Sequence, residues 1–122
     1  MSDKLHAKMT VRLYAGNEKS FGPGIARLLH RVEELHSLRA AALSMDMAYS
    51  KAWSIIRQAE SSLGFSLLNR TVGGRNGGGA NLTEEAAELL RTYDAYCREV
   101  ETYAAALFEE KFSFLQQEKT TE

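Results

Sequence analysis

Three features of the 122-residue chain predict an α+β fold that is mostly helical. Between Ser37 and Leu63, a short alanine-rich helical pattern, a turn at Asp46 and a longer helical pattern follow one another. Next come two short apolar segments separated by Gly73-Gly74-Arg75-Asn76-Gly77-Gly78-Gly79, the composition of a hairpin tip. From Glu84 onward a helical apolar pattern continues almost to the last residue. Helix, turn, helix and hairpin in that order make a winged helix-turn-helix, here with a small β-sheet and a long C-terminal dimerisation helix. The expected organisation is a winged helix-turn-helix domain over residues 1–83 and a C-terminal helix and tail over residues 84–122.

Met9 to Tyr14 alternates apolar and polar residues, which predicts a strand. Gly16-Asn17 and Gly22-Pro23-Gly24 then bracket a loop. Ile25, Leu28, Leu29, Val32 and Leu35 recur at three and four, with Pro23 at the start, so the first helix should end around His36. Ser37 is placed to cap the second helix, whose Leu38, Ala41, Ala42 and Met45 can face a core. Asp46 either sits in the turn or caps the third helix. On that helix Ala48, Ala52, Ile55, Ile56, Ala59 and Leu63 share a face, and Gly64 suits its end. Phe65 to Thr71 and Ala80-Asn81-Leu82 read as the two strands of the wing. Thr83, followed by Glu84 and Glu85, suits the start of the last helix, which should run to about Gln116, roughly 48 Å.

Composition places the chain among ordinary globular proteins, with 44% hydrophobic and 25% charged residues. No secretory leader pattern and no membrane-length apolar run are evident. Cys97 is the single cysteine, so no disulfide can form within the chain. These features predict a cytoplasmic protein, in which the N-x-T sequons at Asn69 and Asn81 are chance matches. The net charge is −1, but it is unevenly spread. Residues 1–22 carry four Lys/Arg against two Asp/Glu, residues 23–83 seven against four, and residues 84–122 four against ten. The acid therefore lies in the C-terminal part, and the helix-turn-helix stretch is mildly basic. Phosphate binding needs local positive potential, not a positive whole.

An exposed helix and a wing are two projections that can enter neighbouring grooves of double-stranded DNA. Tyr49, Ser50, Lys51, Ser54 and Arg57 lie on or beside the polar face of the third helix and are the candidate contacts there. Trp53 can either touch DNA or shield the edge of the core. On the wing, Arg70, Thr71, Arg75 and Asn76 are the candidates, and Arg75 is the one charge of the glycine-rich tip. The C-terminal stripe includes Ala86, Leu90, Tyr93, Cys97, Val100, Ala104, Leu107, Phe108 and Phe112. It is longer than a domain of this size can cover. Leu90, Tyr93, Cys97, Val100, Ala104, Leu107 and Phe108 are therefore the expected homodimer interface.

The stretch SLRAAALSMDMAYSKAW together with LLNRTVGGRNGGGANLTEEAAELL resembles the DNA-binding domain of the ModE type, the molybdate-responsive transcription regulators, which are related to the LysR type. The specific parts are AYSKAW at the start of the third helix and the wing signature R-T-x-G-G-[RK]-x-G-G-G-A-x-L-T. The likeness spans about Met9 to Phe108. It implies a homodimeric, sequence-specific transcription regulator, and it places Tyr49, Ser50, Lys51, Ser54 and Arg57 at reading positions. The family carries C-terminal molybdate-binding domains, whereas this sequence ends at Glu122. Molybdate sensing is therefore not carried over, and no small-molecule effector is expected from these residues.

Other chemistry finds little support. The glycine run is not a phosphate-binding loop, because no Lys-Ser/Thr follows it. His6, His30 and His36 lack metal-ligand spacing, and no cofactor is implied. Nothing supplies a nucleophile, base and oxyanion-hole set, so no enzyme is expected. The rival readings are a winged-helix protein–protein module and an accessory subunit of a separate effector-binding chain.

Overall fold

The computed structural model describes residues 4–70 and 79–117. By packing, the chain forms two compact units, residues 11–92 and residues 1–10 together with 93–122. The division falls between Thr92 and Tyr93, inside the last helix.

The first unit opens with a β-hairpin, β1 (Leu13–Ala15) and β2 (Glu18–Phe21), paired Tyr14 with Lys19 and Ala15 with Glu18. This corrects the expected strand over Met9–Tyr14 and the expected loop over residues 16–24. Gly16-Asn17 is the hairpin turn itself, with Gly16 at φ 62°, which glycine adopts without cost. Residues 9–12 lie outside both strands of this hairpin. The segment Glu18-Lys19-Ser20-Phe21 becomes a strand because it packs on the third helix, where the Ser20 and Ser62 hydroxyls share a hydrogen bond.

Helix α1 (Pro23–Leu35) has Pro23 in its first turn and ends at His36, whose φ of 56° lets its N–H reach the Val32 carbonyl at 2.7 Å. Helix α2 (Leu38–Ser44) is capped by Ser37, whose hydroxyl accepts the Ala40 N–H at 3.0 Å. Asp46 lies in the following turn at φ 54°, a conformation short polar side chains tolerate. It does not cap α3 (Tyr49–Leu63), where Ala48 holds that position. Gly64 closes α3 at φ 89°.

Leu28, Leu29, Val32, Ala41, Ala52, Ile56 and Leu67 are completely buried and form the centre of this unit. Ala42 and Ala59 are buried as well, and the small side chains of Ala41, Ala42 and Ala52 suit the close contact of α2 with α3. Of the other positions expected in the core, Met45, Ile55 and Leu63 are partly buried, and Ala48 is exposed.

The wing is a second two-stranded sheet, β3 (Leu68–Arg70) and β4 (Ala80–Leu82), paired Leu68 with Leu82, Asn69 with Asn81 and Arg70 with Ala80. β3 starts later than the expected Phe65, because β4 offers only three residues for pairing and the Leu67 N–H is taken by the Glu60 carboxylate at 2.8 Å. Three further bonds seat the wing. The Ala80 N–H donates to the His36 carbonyl at 3.0 Å, His36 Nδ1 lies 3.1 Å from Asn81 Oδ1, and Thr83 N–H donates to the Leu67 carbonyl at 3.0 Å.

Helix α4 (Glu84–Phe112) begins at Thr83, whose hydroxyl accepts the Ala86 N–H. It is shorter than expected. A turn at Ser113 separates it from α5 (Phe114–Gln117). Residues two apart do not face each other on a continuous helix. The turn lets the Phe114 ring stack beside Phe112 at 6.5 Å, while Phe112 stacks on Phe108 at 4.8 Å. Among the described residues no helix is long and apolar enough to cross a membrane.

Candidate nucleic-acid interface

The interface is built on α3. Its apolar side, Ala52, Ile56 and Ala59, is held by α1, α2 and β2, and this fixes which side faces out. Ser50, Lys51, Ser54 and Arg57 are all exposed on that outer side. Tyr49 and Trp53 are partly buried, meeting edge to face with centroids 6.4 Å apart and planes at 78°. Trp53 thus covers protein and borders the open face. Arg57 lies over the Trp53 ring at 5.2 Å.

Two properties make this face suited to an anion. Ala48 offers no capping oxygen, so the first N–H groups of α3 point outward without a side-chain partner. The one acid on α3, Glu60, is engaged with the Leu67 N–H away from this face. The outer side of the helix therefore carries hydroxyls and positive charge. Base edges in a major groove offer the matching donors and acceptors, and the backbone beside them the negative charge.

Of the wing candidates, Arg70 is the last residue of β3. Thr71, Arg75 and Asn76 lie outside the described residues. The wing stem adds a polar pair that sequence reasoning passed over, Asn69 opposite Asn81, both exposed. Arg39 was also missed. It stands on α2 with its guanidinium carbon 4.1 Å from the centre of the Tyr49 ring. A basic residue in the first turn of the first helix of a helix-turn-helix was the signal available, since that helix crosses the DNA backbone.

The candidate dimer face divides in two. Leu90 and Tyr93 are only 2% and 6% exposed, so the chain itself covers them and they are not open to a partner. Cys97, Val100, Ala104 and Phe108 are partly exposed and Leu107 is 39% exposed. Among the described residues no group of His, Cys, Asp and Glu could hold a metal ion.

A reader helix with an outward polar face, a preceding helix packed across it and a β-hairpin wing define a winged helix-turn-helix, a DNA-binding class of transcription regulator. The chain belongs to the lysR family of bacterial regulatory helix-turn-helix proteins, which it matches over residues 26–87. It is similar to the transcriptional regulator ModE of Haemophilus influenzae, at 36% identity over 72 residues, covering 59% of this chain and 28% of that protein. The likeness to the transcriptional regulator ModE of Yersinia pestis is 30% over 90 residues, covering 74% and 32%. A third relative, the molybdenum transport protein ModE of Azotobacter vinelandii, is 35% identical over 69 residues, covering 57% and 26%. The chain thus spans about a third or less of the length of the curated relatives it matches.

Proposed function

We propose that this chain is a cytoplasmic, sequence-specific transcription regulator that binds double-stranded DNA as a homodimer. α3 enters the major groove and reads bases through Ser50 and Ser54, while Lys51 and Arg57 reach the flanking phosphates. The wing, with Arg70, Thr71, Arg75 and Asn76, tracks the adjacent backbone or minor groove. The C-terminal helices pair and set the spacing of two readers, which favours a roughly palindromic operator. The observation that carries this reading is the outward face of α3, where four exposed polar side chains follow an uncapped helix start.

The test is selection of bound fragments from a random duplex pool, followed by affinity measurements on matched and mismatched duplexes at several salt concentrations. Ser54→Ala should change which sequences are preferred, by about 1–3 kcal/mol for a lost base contact. Arg75→Ala should weaken binding to all sequences alike and lower the salt slope by about one. Absence of binding to every duplex at low salt would turn the reading toward a protein–protein module.

A further inference from the structure

The reader helix is joined to the helix before it by a row of two rings with a cation at each end. Arg39 lies over Tyr49 at 4.1 Å, Tyr49 meets Trp53 at 6.4 Å, and Arg57 lies over Trp53 at 5.2 Å. We propose that Arg39 grips a DNA phosphate and that Tyr49 is the residue that positions it, so that α2 and α3 hold one duplex together. This rests on the duplex binding set out above, and it moves Tyr49 from reading bases to holding a cation.

Three observations carry it. A guanidinium has its five N–H donors in its own plane. Stacking spends the face of Arg39 on Tyr49 and leaves the edges free for a planar, two-pronged contact with a phosphate. Second, the charge is not already neutralised. Among the described residues no carboxylate pairs with Arg39 or Arg57, whereas Arg31 on α1 pairs with Glu34 at 3.5 Å. Third, Arg39 is exposed while Tyr49 is partly buried, so the ring is the fixed partner and the arginine the outward one. A long side chain already held in one plane loses less freedom on binding than a free one. A lysine at this position would carry the charge without the plane.

The experiment uses the full chain and a duplex recovered from the random pool, with a second unrelated duplex for comparison. Binding is followed by the fluorescence of Trp53, the one tryptophan in the chain. Circular dichroism melting checks that each variant is folded. Arg39→Ala should weaken binding to both duplexes by about tenfold and lower the slope of log affinity against log salt by about one. Arg31→Ala, which alters an ion-paired arginine on α1, should leave that slope in place. Tyr49→Leu should weaken binding in the native background and add little in the Arg39→Ala background, whereas Tyr49→Phe, which keeps the ring, should retain the coupling to Arg39. If the native chain binds DNA with a steep salt slope and Arg39→Ala keeps both affinity and slope, the role of Arg39 is overturned and duplex binding stands. Additive losses from Tyr49→Leu and Arg39→Ala, or equal losses from Tyr49→Phe and Tyr49→Leu, overturn the positioning role of Tyr49. If the native chain binds no duplex at low salt, the inference and the reading beneath it fall together.

Discussion

The carboxylate of Glu60, in the last turns of the reader helix, accepts the N–H of Leu67 at 2.8 Å, just ahead of the wing. Leu67 is completely buried, so this amide has no access to water as a substitute partner. The bond therefore ties the orientation of α3 to the start of the wing. Glu60→Ala should cost about 1–3 kcal/mol, the penalty for a buried donor left unpaired. Glu60→Gln, which keeps an acceptor, should cost less. Urea unfolding of the two variants checks this, and equal stability of the native chain and Glu60→Ala would show that the amide is satisfied otherwise.

Thr83 has a parallel role at the other strand of the wing. Its hydroxyl donates to the Ser66 carbonyl at 2.8 Å and accepts the Ala86 N–H at 3.0 Å. Thr83→Val keeps the shape and removes both bonds at a site 8% exposed. We expect a loss of about 1–2 kcal/mol, the usual range for a helix cap, with most of it recovered in Thr83→Ser. Thermal melts compared at one temperature provide the measurement.

Gly64 ends α3 at φ 89°, and a Cβ added there would meet nothing within 4 Å. Space is thus not the constraint, and the backbone conformation is. Gly64→Ala should destabilise the fold by about 1–2 kcal/mol, and Gly64→Asn by less, because asparagine visits the left-handed region more readily. Chemical denaturation that ranked alanine at or above glycine would contradict this origin.

The long helix allows folding and association to be separated. Leu90 is 2% exposed, so Leu90→Ala should act on stability, at about 2–5 kcal/mol for a buried leucine, and leave association of the folded fraction intact. Leu107 is 39% exposed, so Leu107→Glu should leave the melting of the winged-helix unit nearly unchanged and convert the proposed dimer to monomer. Sedimentation equilibrium at micromolar concentration distinguishes the two. An intact chain that sediments as a monomer at that concentration would remove dimerisation from the proposal.

Local patterns were enough to read most helices and the second half of the wing. Ser37, Gly64 and Thr83 each satisfy or close a helix end through bonds to their own neighbourhood, Pro23 fits a first turn through its fixed φ, and such signals survive in a linear string. The three- and four-residue recurrence of apolar residues likewise marked most of the buried sides of α1 and α3, with Leu35 and Ala48 exposed. The first hairpin was misread because its second strand, Glu18-Lys19-Ser20-Phe21, has no alternation to announce it. Its seat on α3 is a contact at long sequence separation. The break at Ser113 escaped because no glycine or proline marks it, only the stacking of Phe108, Phe112 and Phe114. Charge and hydroxyls on the outer side of α3 could be listed from the chain. That Arg39 would lie on Tyr49, and that Leu90 and Tyr93 would be covered, followed only from packing, because burial and stacking depend on which distant surfaces meet.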